Sequence, residues 1–328
     1  PSEITAQLFV PRGVPGEIDV FAFAPGSTGV VEACAPSRPF VERRAFGTYN
    51  AYTLAYAGQG FVSVMPNYMG FFDEGVIQPY FVLAAEGRTV LDGLRATTRA
   101  LERIGVQQPV RSAFVGGYSQ GGHAAFAAAD LWKSYAPEVT LSGVVGFGPT
   151  TDIEAVLFDF TYVAPWVIYS YDTFFPDRID PADVIREPYL SSFVADAERL
   201  CIGGAQSYYP AVPEGLFAID FGQSLVNGTL SDTHPDLSRL FAENDAGVSG
   251  HGVSAIILQG EDDPVVDIEL QNAFVAEICG LGSRVTYPNH FDTRHETRYI
   301  GFPDAIAWMR TVASGEEPSN DCASVSAN

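Results

Sequence analysis

Residues 110–131 read VRSAFVGGYSQGGHAAFAAADL, and the way this stretch divides decides the fold. Val110–Gly116 is a short apolar run of buried-strand length. Gly117–Gly122 is too rich in glycine to continue it. Ala124–Leu131 is an alanine-rich segment that reads as a buried helix. The sequence is therefore strand, tight turn, helix. Within the turn, Gly117-Tyr118-Ser119-Gln120-Gly121 fits G-x-S-x-G, and no other serine in the chain does. A serine on so sharp a turn has strained dihedrals, and glycines two residues to either side let neighbouring backbone pack close. The turn lifts the hydroxyl clear of the sheet, at the positive end of the following helix.

Outward from this stretch the same alternation continues. Glu17–Ala24 alternates with period two, Phe61–Met65 is a short apolar run, and Phe46–Ala57 between them suits a helix. Ala84–Arg103 places Val90, Leu91, Leu94 and Leu101 on one face, an amphipathic helix. Leu141–Phe147 is a strand ending at Gly148-Pro149; Val253–Gln259 and Arg284–Tyr287 follow much later, then a helix over Pro303–Ala313. Strands alternating with helices predict an α/β fold, a mostly parallel sheet with helices on both faces.

Thr151–Asp245 breaks the rhythm with turn-forming prolines and a crowd of aromatics, among them Phe158, Phe160, Tyr162, Trp166, Tyr169, Tyr171, Phe174, Phe175, Tyr208 and Tyr209. Lying between two core strands, it reads as a mainly helical cap, or lid. A few extra packing helices are the plainer alternative. The expected division is a core of residues 1–150 and 246–328 with a cap of residues 151–245. The tail Ser314–Asn328 reads as loosely attached.

Composition bounds the function. The chain has 328 residues, 47% hydrophobic and 18% charged, enough for one large domain or a domain with an insertion. Asp plus Glu number 40 against 18 Lys plus Arg, a net charge of −22. That excludes sequence-independent nucleic-acid binding, which needs a positive surface, and docking on anionic lipid through a basic patch. Lys133 is the only lysine; a saline habitat and genome composition account for this equally well. No apolar run approaches the ~20 residues of a membrane span. The chain opens at Pro1 without a basic-then-apolar leader, so any signal peptide is expected to have been removed. Cys34, Cys201, Cys279 and Cys322 lack C-x-x-C spacing, which disfavours a zinc or redox site. They fit two disulfides and an oxidising compartment, with three pairings open. Asn227-Gly228-Thr229 is a glycosylation sequon, meaningful in a eukaryotic host.

A serine hydroxyl becomes a nucleophile when a base takes its proton, and the base must be held in one tautomer by a third group. On strand–turn–helix sites of this kind the order is Ser, acid, His. Residues 256–266 read IILQGEDDPVV, a strand running into a carboxylate-rich turn. Asp263, three residues past the turn glycine, is favoured over Glu261 and Asp262. Five histidines are available. His123 lies one turn into the nucleophile helix and reads as packing or polar support, and His234 and His251 precede the acid. His295 falls in the loop before the last helix and is the expected base, whereas His290 falls at a strand end. The oxyanion of an acyl transfer needs donors as well. The backbone N–H of Gln120 is one candidate, and that of Ser27, in the loop Ala24-Pro25-Gly26-Ser27-Thr28-Gly29, is the other.

With these residues in view, the chain resembles the secretory lipases of the α/β-hydrolase superfamily, the Candida antarctica lipase A type and its bacterial relatives. Residues 25–29 with Cys34-Ala35-Pro36-Ser37 look like the family's oxyanion loop, H-G-T-T-G followed by C-A-P-S, with proline here in place of the histidine. Glu86-Gly87-Arg88 with residues 90–96 is similar to a helix of the family's core, and Gly117–Ala124 to its nucleophile elbow. Gly260, Asp263 and Val266 match its G-x-x-D-x-x-V, and His295 stands thirteen residues before Trp308 as in the family's end. The resemblance implies an α/β-hydrolase fold and hydrolysis of carboxylic esters by Ser119, His295 and Asp263, with no metal or cofactor. It implies a secreted or periplasmic protein with Cys279–Cys322 and Cys34–Cys201 disulfides. The expected partner is a small-molecule or lipid ester, with transient lipid-interface contact through the cap, no nucleic acid and no obligate protein partner. Lipase, short-chain carboxylesterase and polyester or acetylated-glycan esterase stay open, as does peptidase activity. A catalytically inactive hydrolase fold serving as a binding module is the reading of another class.

Overall fold

A computed structural model describes residues 3–13, 16–38, 48–73 and 75–325. Eight strands form its sheet: β1 (Ala6–Phe9), β2 (Ile18–Ala24), β3 (Val62–Pro66), β4 (Val110–Tyr118), β5 (Leu141–Phe147), β6 (Ala255–Gly260), β7 (Val285–Thr286) and β8 (Asn289–His290). The order is β1-β3-β2-β4-β5-β6-β7, with β8 pairing to the end of β6. All neighbours are parallel except β1, which runs antiparallel to β3 at the edge.

The two faces follow from the period-two pleat. In β2, Ile18, Val20, Ala22 and Ala24 point into one layer, and Phe21 and Phe23 into the other. The same split runs through β6, with Ala255 and Ile257 on the first side and Ile256 and Leu258 on the second. Helices Leu83–Arg103, Gln120–Tyr135 and Ile268–Gly280 cover the first face. Helices Tyr49–Gly58 and Phe302–Ala313 cover the other, with Tyr52, Tyr56, Trp308 and Met309 against Phe21, Phe23 and Phe114. This is the α/β-hydrolase architecture. Ala124–Ala129 are almost wholly buried, as an alanine-rich helix packed close to a sheet must be. Gly87 meets that helix so closely that a Cβ there would lie 2.7 Å from the Ala127 carbonyl.

Two expectations need correction. The four-residue edge strand β1 is absent from the sequence reading, because so short a segment carries little periodicity. The tail is held firmly. Asp321 N–H donates to Val285 O at 2.7 Å, Tyr287 N–H to the Asp321 carboxylate at 2.7 Å, and Thr286 Oγ1 to Ser319 O at 2.8 Å. These hydrogen bonds and the Cys279–Cys322 disulfide do this, with Val325 packed against the core, and a stretch so polar in composition gives no sign of it. The predicted helix over Phe46–Ala57 is found as Tyr49–Gly58; residues 46 and 47 lie outside the described residues. The predicted strand Arg284–Tyr287 is found as the two-residue β7; a further short strand, β8, follows it and contains His290.

Between β5 and β6 the chain is almost entirely helical, from Ile153–Asp159 to Pro235–Ala242. These helices share a hydrophobic cluster of their own, centred on Trp166, Ile168, Tyr171, Phe217, Phe221 and Phe241. Four of the ten aromatics named from the sequence, Phe160, Trp166, Tyr171 and Tyr209, are buried, while Phe158 and Tyr208 are 40% exposed. Tyr171 donates its hydroxyl to Phe81 O at 2.9 Å, tying the stretch to the segment before helix Leu83–Arg103. The Cys34–Cys201 disulfide is a second tie. It spans 167 residues, and in the chain-entropy model such a loop is worth about 5 kcal/mol. Both pairings are those the family resemblance implies.

The stretch leaves and rejoins the core at one clasp. Ala246 N–H donates to Thr151 O at 3.0 Å, and Ile153 N–H to the Asp245 carboxylate at 2.8 Å. Burial, and then the charge of Asp152, push the Asp245 carboxyl up to about 7. The folded state thus binds this proton more tightly than the unfolded chain, where the group titrates near ~3.9. The stability associated with it is complete below pH ~4 and is lost as pH rises through about 7, roughly 4 kcal/mol at most. Asp245→Asn keeps the acceptor and removes the charge. We expect it to raise Tm by a few degrees at about pH 8 and by markedly less at about pH 5, where only the first part of that stability has been lost. Calorimetry at both values checks this, and an equal shift at the two would sink the linkage.

Candidate active site

Every candidate residue lies at the C-terminal ends of the strands, where parallel sheets build their sites. Ser119 follows β4 directly, with φ 56° and ψ −120°, and begins helix Gln120–Tyr135 as its N-cap. That conformation is costly for a residue with a side chain and persists only when its surroundings over-determine it. They do so here. Ser119 N–H donates to Phe147 O at 3.0 Å, and its carbonyl accepts from Gly122 at 2.8 Å and His123 at 3.3 Å. The glycine spacing has a direct steric cause. A Cβ on Gly117 would overlap the Gly121 carbonyl, and one on Gly121 would overlap the Ala24 carbonyl at the end of β2. Gly122 meets Pro149 in the same way. At the first helical position, the Gln120 N–H has no intrahelical partner.

Asp263 follows β6 and is buried with all its acceptor positions occupied. Oδ1 accepts from Val265 N at 2.8 Å and Val266 N at 3.1 Å; Oδ2 accepts from Gln259 Nε2 at 3.2 Å and faces His295 Nδ1 at 2.9 Å. The G-x-x-D spacing follows from the crossing loop. A Cβ on Gly260 would overlap the Thr293 carbonyl, and Asp262 N–H donates to Thr293 O at 3.0 Å, so the histidine loop lies directly on the acid turn. His295 Nε2 is buried and makes no hydrogen bond.

The elbow and the Asp263–His295 pair meet around Gly148. A Cβ there would sit 3.1 Å from His295 Nδ1 and 3.3 Å from Asp263 Oδ2, while Thr150 N–H reaches Ser119 O at 3.4 Å. The Tyr118 ring lies 4.9 Å from the His295 ring, and Phe160, from the helical stretch, 6.5 Å from it on centroids. His290 stands apart, 3.7 Å from Asp304.

The loop carrying Ser27 is tied on several sides. Pro25 O accepts from Tyr68 at 2.7 Å, Ser27 Oγ pairs with the Tyr80 hydroxyl at 2.6 Å, and Thr28 O accepts from Ile202 N at 2.9 Å. Tyr80 is buried and 5.8 Å from Trp166, so this loop and the helical stretch share one packing unit.

Behind the elbow is a buried polar network that sequence reading reaches only in part. Glu86 accepts from Gln120 Nε2 at 2.7 Å and Phe81 N at 2.9 Å, and pairs with His123 Nδ1 at 2.6 Å. His123 Nε2 lies 2.7 Å from Asn244 O. Burial works to lower the His123 pKa, but the Glu86 carboxylate prevails and it is raised. His123 is thus the polar support expected of it. Its partner was concealed because Glu86 lies on an amphipathic helix, where a carboxylate ordinarily faces solvent.

The comparisons with known proteins set the chain beside lipases and esterases. The model of the secretory lipase family matches residues 50–160. The chain is 27% identical over 285 residues to the trichothecene C-3 esterase of Fusarium sporotrichioides, covering 82% of this chain and 60% of that protein. It is 29% identical over 356 residues to a secreted triacylglycerol lipase of Malassezia globosa, covering 98% of this chain and 71% of that one. The chain thus spans about three-fifths to seven-tenths of the length of these relatives. Among solved structures, Candida antarctica lipase A superposes with a TM-score of 0.70 at 18% identity, over 97% of this chain and 75% of that one. Over residues 50–160 by sequence match and over nearly its whole length by fold, the chain resembles the secretory lipases of the α/β-hydrolase superfamily.

Proposed function

We propose that the chain is a secreted serine hydrolase that cleaves carboxylic esters through an acyl-enzyme. The observation that carries this is the Asp263–His295 hydrogen bond with His295 Nε2 left unpartnered, beside a serine held at positive φ on a strand-to-helix turn. In this reading His295 Nε2 takes the Ser119 proton as Oγ attacks the ester carbonyl carbon. Asp263 holds Nδ1 protonated and stabilises the imidazolium. The N–H groups of Gln120 and Ser27 receive the oxyanion. The tetrahedral adduct then expels the alcohol, which takes the proton back from His295. Water attacks the acyl-Ser119 ester by the same route and releases the acid.

Residues 151–245 act as a cap over the site in this reading, and Phe160 brings a ring to within 6.5 Å of the base. The substrate class rests on the relatives, an esterase and a triacylglycerol lipase, which differ in the alcohol and share the carboxylic ester. Two disulfides and a secreted relative support export. Initial rates on p-nitrophenyl esters from acetate to palmitate, with fluorophosphonate labelling alongside, test the proposal. Labelling with turnover on at least one ester is expected, and the chain-length optimum separates esterase from lipase. A folded chain that neither labels nor turns over would be the inactive binding module.

A further inference from the structure

Arg298 lies three residues after His295, is 1% exposed, and is therefore a buried cation that the chemistry above does not use. Its guanidinium carbon sits 4.7 Å from the centroid of Tyr49, 4.9 Å from Tyr118, 4.6 Å from Tyr299 and 5.5 Å from Tyr52. Nε donates to Glu296 at 3.0 Å and Nη2 to the Tyr299 hydroxyl at 3.0 Å, while Tyr52 donates to the Arg298 carbonyl at 2.9 Å. Nη1 is buried without a hydrogen bond, so the faces of the rings must take up its positive charge. A guanidinium taken out of water is expensive unless it is well compensated.

The rings around it belong to separate parts of the site. Tyr118 is the residue before Ser119, and its ring lies tilted against that of His295, with centroids 4.9 Å apart. The Tyr49 hydroxyl lies against Gly26, the residue before Ser27. Gly26 is held so closely that a Cβ would lie 2.7 Å from that hydroxyl and 2.8 Å from the Tyr118 ring. The remaining element is the histidine loop itself, which supplies Arg298. We propose that Arg298 is a positioning residue: as the shared cation of this tyrosine cage it fixes the nucleophile turn, the Ser27 loop and the His295 loop relative to one another.

This rests on the ester-hydrolase reading, and its effect is on turnover. A misplacement of about 1 Å at a reacting centre costs on the order of 10²-fold. In the full chain, Arg298→Ala is expected to lower kcat about 10²-fold with KM for p-nitrophenyl butyrate changed less than about twofold. Methylguanidinium, which fits the emptied cage, restores kcat about tenfold or more at unchanged Tm. Tyr49→Phe keeps the ring and removes only the hydroxyl packed against Gly26. It is expected to lower kcat about three- to tenfold, and it decides the matter if Arg298→Ala does not fold. Wild-type kcat in either folded variant, or a loss in Arg298→Ala that follows the unfolded fraction and ignores methylguanidinium, overturns the proposal while leaving the ester-hydrolase reading intact. Absence of ester turnover in the wild-type chain overturns both.

Discussion

Ser119→Ala is expected to lower kcat on any ester the protein turns over by about 10⁶-fold, with Tm unchanged and fluorophosphonate labelling abolished. The substitution removes one oxygen and leaves the backbone pairing of residue 119 to Phe147, Gly122 and His123 untouched. The strained dihedrals are therefore retained, and the helix still presents the Gln120 N–H. What disappears is the atom that forms the acyl-enzyme in the proposed mechanism. The residual rate, ~10³–10⁴ over water in other serine hydrolases, is what oxyanion donors and binding supply alone. Activity above about 1% of wild type, in a preparation free of host esterases, would falsify the assignment of Ser119.

The elbow motif and the acid turn were legible in the sequence because each depends on a close backbone approach that only glycine allows, which leaves a mark on residue type. Gly117 and Gly121 are glycine because a carbonyl occupies the place of each Cβ, and Gly260 is glycine because the histidine loop crosses it. Such constraints show as fixed spacings. The alternating faces of β2 and the alanines of the nucleophile helix were legible for the same reason, since pleat and close packing act residue by residue.

What escaped depends on contacts between residues far apart in the chain. Glu86 reads as one more polar residue on an amphipathic helix until His123 and Gln120 are brought to it, 37 and 34 positions on. Arg298 reads as a surface arginine until tyrosines from around 50 and 118 close over it. Asp321 looks like part of a polar tail until it pairs with β7. In each case a polar residue is tied down by partners that no local pattern announces. A sequence read segment by segment assigns such residues to solvent.

Asp263→Asn is the subtler test of the same site, and the hydrogen bonds around residue 263 dictate its outcome. Val265 N–H and Val266 N–H both point at Oδ1, so that position must remain an oxygen. The amide nitrogen then takes the Oδ2 position, facing His295 Nδ1 and Gln259 Nε2. A donor there can be satisfied by His295 only if Nδ1 is the bare nitrogen, which puts the proton on Nε2, the atom that must accept it from Ser119. Gln259 meets a donor opposite its own and is driven to flip, giving up its 2.8 Å hydrogen bond to Val266 O. The variant should therefore fold with a modest loss of Tm and lose about 10⁴-fold in kcat, the size seen when a triad imidazole is locked in the wrong tautomer. Asp263→Ala removes the donor as well as the carboxylate and leaves the imidazole free to adopt either tautomer. If tautomer control is the role of Asp263, Asp263→Ala is expected to retain more activity than Asp263→Asn. Steady-state rates for the pair, with a nitrogen-15 imidazole spectrum to read the tautomer, decide it. Equal rates would mean that Asp263 acts through its charge alone.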